Sequence, residues 1–230
     1  MTKPLHSTVF IVIPAYNEAK VIRQSILSLG QRYQIIVVDD ASTDDTFSQI
    51  DDLPIYYLRH PINLGQGAAL QTGMDFSRLK KADIVVHFDA DGQHNPADIP
   101  KFIDKLQTGP FDIVMGSRFL EAEHTLSVPP FKRFVLKVAT IINGLLTGLW
   151  LTDAHNGFRV MNSHALNVIN LKENRMAHAT EILSQIHRAK LRYAELSTKV
   201  VYTEYSTMKG QSWTNSINIL IDLAINRYLR

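Results

Sequence analysis

Residues 84–94 read IVVHFDADGQH, an apolar run that gives way to acidic and polar residues at Asp89. A short continuous run rich in β-branched residues is typical of a strand that is buried on both faces of a parallel sheet. Residues 84–88 therefore predict such a strand, and Asp89 and Asp91 follow its carboxyl end. If the extended geometry continues, the two carboxylates point to the same side.

Three more runs of this kind occur in the sequence, together with several helix-like stretches. The runs are 9–13 (VFIVI), 35–38 (IIVV) and 113–115 (IVM). The helix-like stretches are 19–29, 43–51, 67–77 and 96–106. Strands that alternate with helices predict an α/β fold with a mainly parallel sheet flanked by helices. Ligands of such sheets bind beyond the carboxyl ends of the strands, so we expect the site there.

The alternation weakens beyond about residue 125. Helices are predicted at 131–151 and 177–190, a turn-rich stretch at 152–159 and a strand at 197–205. A linker rich in Pro, Gly or Ser does not separate this part from the first half. We therefore expect the second half to complete the site of the first instead of forming its own domain.

Composition narrows the class of protein. The 230 residues carry a formal net charge of +2, which gives no strong bias toward nucleic acid. Cysteine is absent, which excludes disulfides and thiolate metal sites. The first eight residues lack the apolar stretch of a secretory signal, so a cytoplasmic protein is expected. The uncharged stretch 138–151 is shorter than the roughly 20 apolar residues that span a bilayer.

Two carboxylates one residue apart suit a hard cation. Mg²⁺, with Mn²⁺ as a close substitute, is usually held by a few protein carboxylates together with phosphate oxygens of a substrate. Gln93 offers a further oxygen, and Gly92 permits a tight bend. A solvated turn rich in Asp is the alternative interpretation of Asp89 and Asp91.

Acidic and polar residues at the ends of other strands help to distinguish a cation site from a solvated turn. Asp39 and Asp40 follow the second strand, and residues 42–44 form a good N-cap cluster for the helix expected next. Capping does not explain two successive acids before the cap, so one carboxylate is available for a base or a ribose hydroxyl. In 14–18 (PAYNE), Pro14 is expected to end the first strand because it lacks a ladder donor. Structural and functional interpretations of that segment stay equally open.

Five motifs occur in an order that resembles inverting family-2 glycosyltransferases with the GT-A fold. They are PAYNE (14–18), VVDDAS (37–42), NLGQGAAL (63–70), DADGQH (89–94) and GSRF (116–119). Within that superfamily the sequence is most similar to dolichyl- or polyprenyl-phosphate mannosyl- and glucosyltransferases, over roughly residues 8–212.

The resemblance implies one GT-A, Rossmann-like domain over residues 1–230. It implies a nucleotide-sugar-binding half at about 8–125, a more helical acceptor-side half at about 126–212, and a C-terminal amphipathic helix at 213–230. Residues 213–230 and the apolar, basic stretch 131–151 are the two segments that can contact a membrane. Packing on the domain core is the alternative for both segments.

The resemblance also implies a donor site for a nucleotide-diphosphate sugar. Its nucleotide-sugar ligands would be Pro14, Ala15, Tyr16, Glu18, Asp40, Gly67, Asp89, Asp91, Arg118 and Lys209. Asp89, Asp91 and Gln93 would bind Mg²⁺ or Mn²⁺ at the diphosphate. Asp40 would hold the base or ribose, and Gly67 would let the backbone approach the nucleotide, with a plain glycine-rich turn as the alternative for Gly67.

Two implied cations belong to the same site. Arg118, after the fourth apolar run, is a suitable fixed cation for phosphate, with an ordinary surface arginine as the alternative. Lys209 lies in YSTMKGQS (205–212), which resembles the family's basic loop over the diphosphate. The family pattern ends in Ser-Lys where this chain has Ser212 and Trp213, so a second basic contact from this loop is in doubt.

The acceptor side is implied by TDAHNGFR at 152–159, which matches the family's D-x-x-x-G-F-R element. Asp153 is the predicted catalytic residue, either as a base or as a charge that stabilises the oxocarbenium-like transition state. A phosphate monoester has a second pKa of about 6 and needs no strong base, in which case Asp153 chiefly orients other groups. Arg159 and Glu181 are the further acceptor-side residues, and a helix-surface acid is the alternative for Glu181.

Taken together, these features predict an inverting, metal-dependent hexosyltransferase. The predicted donor is a UDP- or GDP-sugar and the predicted acceptor a polyprenyl phosphate. One alternative replaces the acceptor with a sugar hydroxyl of a cell-surface polysaccharide or glycolipid, and another is a non-catalytic nucleotide-sugar-binding protein. We expect a cytoplasmic protein at the inner face of the membrane, attached by a small membrane protein partner or by a peripheral helix unless its acceptor is soluble.

Overall fold

The computed structural model of the chain describes residues 7–201. Lys209 and the helix predicted at 213–230 therefore lie outside the described residues. The prediction of one domain over residues 1–230 stays a prediction.

A seven-stranded sheet organises the described chain. Its strands are β1 (Val9–Ala15), β2 (Gln34–Asp39), β3 (Tyr56–Arg59), β4 (Ile84–His87), β5 (Ile113–Ser117), β6 (Arg159–Asn162) and β7 (Tyr193–Ser197). Their order is β3-β2-β1-β4-β6-β5-β7, and only β6 runs antiparallel to its neighbours. The predicted α/β fold with a mainly parallel sheet is confirmed. Because β6 lies between β4 and β5, the second half of the chain contributes to the same sheet as the first.

Helices cover both faces of this sheet. They are α1 (Ile22–Ser28), α2 (Gln66–Leu79), α3 (Ile99–Thr108), α4 (Ala122–Leu126), α5 (Pro130–Thr147), α6 (Ser163–Val168) and α7 (His178–Arg188). On one face, α2, α6 and α7 bury Met74, Leu166 and Ile182 in one apolar cluster. On the other, α1 and α3 bury Ile22 and Phe102 in a second cluster. The core therefore lies in two layers, one on each side of the sheet.

The strand β1 continues through Pro14, so the prediction that this proline ends the strand is wrong. The ladder with β4 stops at Val12, whereas the ladder with β2 continues to Ala15. Val12 O accepts from Phe88 N on the β4 side. Residues two apart face the same neighbour, so the missing N–H of Pro14 points to the side where the ladder has already ended.

The α-helix predicted at 43–51 is also wrong, because the structure contains only a short 3₁₀ turn at Phe47–Gln49. The polar residues ahead of it make long-range bonds instead of capping a helix. Ala19 N donates to Asp44 Oδ2 at 3.1 Å, and Asn17 N donates to Ser42 Oγ at 2.9 Å. The cluster therefore holds the loop after β1.

Two further differences concern short strands. Over its described part, 197–201, the predicted strand is wrong, since β7 ends at Ser197 and Val200 forms an isolated bridge with His94. Residues 202–205 of this prediction lie outside the described residues. The four-residue strands β3 and β6 were not predicted. Runs this short do not show a periodicity that separates a strand from a loop.

Candidate active site

The turns that follow β1, β2 and β4 meet at one edge of the sheet. Ser42 Oγ, after β2, accepts from Asn17 N, after β1, at 2.9 Å. Ser25 Oγ on α1 donates to Ala90 O, after β4, at 2.7 Å. The structure therefore brings together the acidic strand ends that the sequence singled out.

The segment after β1 forms one wall of this edge. Pro14 and Ala15 are the last residues of β1, Tyr16 has 41% of its surface exposed, and Glu18 is buried. The negative charge of Glu18 contributes to the environment of Asp91. This segment therefore borders the acidic centre of the site.

Asp89 is held by three parts of the chain. Its Oδ1 accepts from Gln66 Nε2 at 2.9 Å, and its Oδ2 contacts His94 Nε2 at 3.1 Å. A Cβ atom on Gly157 would lie 2.5 Å from Oδ2, so only glycine leaves room for this carboxylate. Burial opposes ionisation of Asp89, but the hydrogen bond with His94 and then the positive charge of Arg159 keep its pKa below the ordinary value.

The pKa of Asp91 is shifted in the opposite direction from that of Asp89. Its Oδ1 accepts from Gln93 N at 3.0 Å. Burial, and then the negative charge of Asp89, raise the pKa of Asp91 to about 6. A bound cation would remove the repulsion between the two carboxylates, so the donor set fits Mg²⁺ or Mn²⁺.

The protein ligands for such a cation are few. Within residues 7–201, no three His, Asp or Glu side chains form a cluster that could hold a metal ion. Asp89 and Asp91 would thus leave positions for the Gln93 amide and for oxygens from outside the protein. This is the open, oxygen-rich arrangement in which Mg²⁺ commonly contacts phosphate.

A buried ion pair joins β5 to the turn before β6. Arg118 Nε and a terminal nitrogen of its guanidinium donate to the two oxygens of Asp153 at 2.6 and 2.7 Å. Arg118 N adds a third bond at 3.1 Å. Burial opposes ionisation of Asp153, but the Arg118 charge and hydrogen bonds keep its pKa below the ordinary value. Both oxygens of the predicted catalytic carboxylate are therefore committed to Arg118.

Arg159 is a buried cation between the two acidic centres. It is only 2% exposed and lies opposite His87 in the β4–β6 ladder. Burial lowers the pKa of Arg159 to about 10, against the attraction of Asp89 and then Asp153. Burial also lowers the pKa of His87 to about 3, and the Arg159 charge adds to this effect. The histidine is therefore neutral, and Arg159 supplies the positive charge on this side of the sheet.

Lys132, on the first turn of α5, also belongs to this region. Burial lowers its pKa, the Arg118 charge lowers it further, and the Asp91 charge raises it. The sequence indicated Lys132 only as part of a basic stretch. No local signal links α5 to the ends of β4 and β5, so this role in the site could not be predicted.

Asp40 organises the loop that leads into α2. Its Oδ1 contacts His60 Nδ1 at 2.7 Å and accepts from Leu64 N at 2.9 Å. Its Oδ2 accepts from Gly65 N at 2.6 Å. These bonds to residues 60–65 occupy both oxygens, and the predicted contact with a base or ribose stays a prediction.

Gly67 is required by packing within the protein. A Cβ atom on it would lie 2.0 Å from Glu173 O and 2.8 Å from His178 Cβ. The adjacent Ala68 N donates to Asn174 O at 3.0 Å. The start of α2 therefore lies against the segment 173–178, and the approach of a nucleotide to Gly67 stays a prediction.

Glu181, on the first turn of α7, binds the backbone of a neighbouring loop. It accepts from Lys172 N at 3.0 and 2.9 Å and from Glu173 N at 2.9 Å. Among the ion pairs of residues 7–201, none joins Glu181 to Arg159. The structure thus gives Glu181 a clear role in loop packing, and its acceptor-side role stays a prediction.

Comparison with known proteins identifies the family to which this site and fold belong. Residues 10–169 match the family described as Glycosyl transferase family 2. A UDP-N-acetylglucosamine–dolichyl-phosphate N-acetylglucosaminyltransferase of Methanococcus voltae is 33% identical over 223 residues, which cover 88% of this chain and 89% of the relative. An undecaprenyl-phosphate mannosyltransferase of Micrococcus luteus is 29% identical over 174 residues, which cover 71% of this chain and 70% of the relative.

A solved structure shows the same fold. Glucosyl-3-phosphoglycerate synthase of Mycobacterium tuberculosis, in complex with Mn²⁺, UDP and phosphoglyceric acid, superposes with a TM-score of 0.68. The match covers 94% of this chain and 78% of that chain at 19% identity. The predicted GT-A fold is therefore confirmed, as is the predicted family resemblance.

The raised pKa of Asp91 gives a prediction about stability. Its folded value of about 6 lies above its ordinary value of 3.8, so ionisation of Asp91 opposes folding increasingly between these pH values and fully above them. Without divalent cations, Asp91→Asn should raise the free energy of unfolding at pH 7.5 by about 1–3 kcal/mol. The gain should nearly vanish at pH 4, where Asp91 is largely protonated in both states.

Urea unfolding in EDTA at the two pH values measures this difference. Asp104→Asn, which replaces an exposed acid on α3, is the matched control and should show little change at either pH. An Asp91→Asn variant that is equally stabilised at both pH values, or not at all, would show that the carboxylate is not electrostatically strained.

Proposed function

Because this chain belongs to glycosyl transferase family 2, we propose that it moves a hexose from a UDP- or GDP-sugar to a polyprenyl phosphate, with inversion at the anomeric carbon. Two of its relatives are named for dolichyl phosphate and undecaprenyl phosphate. The polar site at the carboxyl edge of its sheet is where a nucleotide-sugar would bind in this fold class.

The donor diphosphate would bind at the acidic edge. Asp89, Asp91 and Gln93 would hold Mg²⁺ or Mn²⁺, which when bound supplies positive charge to the departing diphosphate. The bonds from Gln66 and His94 fix the orientation of Asp89 in advance. Because its orientation is already fixed, Asp89 would not have to change its conformation when the donor binds.

The nucleotide would lie beside the segment after β1. Pro14, Ala15, Tyr16 and Glu18 would line this part of the pocket, and the partly exposed ring of Tyr16 offers a surface to the base or ribose. Asp40 would support the pocket through the loop 60–65, whose backbone it binds. Lys209 would add a cation from outside the described residues.

The Arg118–Asp153 pair is the observation that most favours a phosphate acceptor. An acceptor hydroxyl needs a general base, but a carboxylate with a lowered pKa and two bound oxygens is a poor proton acceptor. A phosphate monoester is already largely anionic near neutral pH and can attack without a base. We therefore propose that Asp153 acts as a positioning residue, which holds the Arg118 guanidinium toward phosphate.

The basic rim of the site suits the same acceptor. Lys132 and Arg118 lie close enough to influence each other electrostatically. Arg159 would add a fixed positive charge from beneath the site. Two or three cations around one position are suited to binding the phosphate of an acceptor next to the donor.

A polyprenyl phosphate also implies a location. We propose that the protein works at the inner face of the membrane, as a peripheral protein. Across residues 7–201, the helices are all too short or too polar to cross a bilayer. The small membrane protein partner stays a prediction.

Nucleotide release by the purified protein tests the proposed reaction. A panel of UDP- and GDP-sugars would be supplied with Mg²⁺ or Mn²⁺, with and without undecaprenyl phosphate in detergent. We expect release from one donor that requires both the cation and the lipid phosphate. Turnover that requires a sugar hydroxyl instead of the lipid phosphate would support the alternative acceptor, and donor binding without any turnover would favour a non-catalytic protein.

The role of Asp153 is tested by Asp153→Asn, which removes the charge that pairs with Arg118. We expect kcat/KM for the lipid phosphate to fall by about tenfold or more, while donor affinity changes little. The acid limb of the pH profile should keep its position, because no general base has been removed. If Asp153 were the base, the acid limb would disappear while KM for the acceptor stayed constant.

A further inference from the structure

In helix α5, the buried and exposed sides are the reverse of those usual in a water-soluble protein: large apolar residues are exposed, and small or polar residues are buried. Its side toward the protein buries small and polar residues, namely Ala139, Thr140, Asn143, Gly144 and Thr147. Its other side exposes Phe131, Phe134, Val138, Ile141 and Leu145. A helix that packs on a core normally buries its large apolar residues and exposes its polar ones.

The buried polar side of α5 makes hydrogen bonds within the protein. Asn143 Nδ2 donates to Thr180 Oγ1 on α7 at 3.0 Å, and Thr147 Oγ1 donates to Asn143 O at 2.8 Å. Thr140 Oγ1 also accepts from Ala154 N at 3.4 Å, so two hydrogen bonds to other parts of the chain hold α5 in this orientation. The outward position of its large apolar residues follows from this arrangement.

The exposed residues form a continuous stripe. Their spacing of three and four residues places Phe131, Phe134, Val138, Ile141 and Leu145 on one side of the helix. Phe131, Phe134 and Leu145 each expose about two thirds of their surface, at 65%, 67% and 68%. Trp150 lies just beyond the helix end, where its ring is 60% exposed and packs against Gly144.

We call these six residues the α5 surface: Phe131, Phe134, Val138, Ile141, Leu145 and Trp150. Apolar patches of this extent mark contacts with a protein or a membrane. The charge pattern of the helix distinguishes the two partners. Helix α5 carries Lys132, Arg133 and Lys137 and no acidic residue.

The charge pattern favours a lipid partner over a second copy of the chain. A two-fold contact through α5 would bring the bases of both copies to the same interface, without an acid on α5 to pair with them. Anionic lipid headgroups complement the same bases. Aromatic residues, including Trp150, are also favoured at the boundary between headgroups and acyl chains.

The position of α5 connects this surface to the candidate active site. Lys132 follows Phe131 on the first turn of the helix, and Thr140 Oγ1 on the same helix accepts from Ala154 N, the residue after Asp153, at 3.4 Å. A bilayer on the α5 surface would therefore present its headgroup region to the acceptor side of the site.

We propose that the α5 surface docks on an anionic lipid bilayer, with its six apolar side chains in the interfacial region and its bases toward the headgroups. The proposal rests on the proposed function, because a lipid-linked acceptor phosphate would enter the site from this bilayer. It identifies the segment of the chain that makes the contact.

Vesicle co-sedimentation of the full-length protein tests the docking surface. The probes are vesicles of phosphatidylcholine alone and vesicles that also contain phosphatidylglycerol. We expect stronger binding to the anionic vesicles, weakened by salt. The double variant Phe134→Ser/Ile141→Ser should bind about tenfold or more weakly, because both side chains are exposed and belong to the α5 surface.

The matched control removes exposed apolar residues elsewhere. Leu27→Ser/Leu79→Ser replaces side chains on α1 and α2 that are 57% and 75% exposed. This variant should bind vesicles like the wild type. Circular dichroism and thermal unfolding verify that both variants stay folded.

A second readout reports the position of the surface directly. The chain has two tryptophans, Trp150 and Trp213. In a Trp213→Phe background, Trp150 fluorescence should shift to the blue and be quenched by brominated lipids when anionic vesicles are added. Unchanged Trp150 emission in vesicle-bound protein would place the contact elsewhere and overturn the proposal.

Other occupants of the surface give different results. Wild-type affinity in Phe134→Ser/Ile141→Ser would show that another segment, such as residues 202–230, makes the membrane contact. A dimer that this variant dissociates, without vesicle binding by the wild type, would assign the surface to a second copy. Either result overturns the proposal.

Failure of docking can be separated from failure of the proposed function. Turnover with a short-chain, water-soluble isoprenyl phosphate needs no bilayer, so the double variant should retain wild-type turnover with this acceptor. If that turnover is present and α5 variants bind vesicles normally, only the docking proposal fails. If vesicle binding depends on α5 but no donor and acceptor give turnover, the proposed function fails and the docking surface stands.

Discussion

Negative charge at one edge of the sheet is the constraint on which the site depends. Asp89 and Asp91 are both removed in part from water, and the structure treats them differently. Asp89 receives bonds from Gln66 and His94 and the attraction of Arg159, which keep it ionised. Asp91 accepts one backbone hydrogen bond, and burial, followed by the repulsion of Asp89, raises its pKa to about 6. A cation bound between the two carboxylates would relieve this repulsion. The site is therefore expected to have an affinity for such a cation.

The same electrostatic reasoning separates the roles of the two halves of the chain. In the second half, Asp153 is fully paired with Arg118, and this pair leaves little basicity for proton transfer. An acceptor that brings its own negative charge fits such a site better than a neutral hydroxyl. The inverted amphipathicity of α5 is consistent with an acceptor of this kind that lies in a membrane. Transfer to a negatively charged acceptor in a membrane is thus favoured by three features: the acidic edge of the sheet, the Arg118–Asp153 ion pair and the exposed apolar side of α5.

The sequence predicted the framework of this fold well. Apolar β-branched runs located β1, β2, β4 and β5, and the acidic turns after them meet as expected. These features depend on local patterning and on the general rule that parallel strands present their carboxyl ends together. The order of the five sequence motifs also predicted the family, and the comparisons confirm this prediction.

Long-range contacts could not be predicted in the same way. The polar residues at 42–44 look like a helix cap locally, but they bind the loop after β1. From the sequence, Gly67 was expected to let the backbone approach a nucleotide, yet its missing side chain makes room for Glu173 and His178. Such partners lie far apart in sequence, and only the folded chain brings them together.

Binding of Mn²⁺, followed by electron paramagnetic resonance with and without UDP or GDP, most directly tests the central claim of a cation site at Asp89 and Asp91. We expect wild-type protein to bind Mn²⁺ more tightly when a nucleoside diphosphate is present, because the diphosphate supplies oxygen ligands that the protein lacks. Asp91→Asn should lose most of this binding while staying folded. Equal affinity of the variant and the wild type for the Mn²⁺–nucleotide complex would contradict the account.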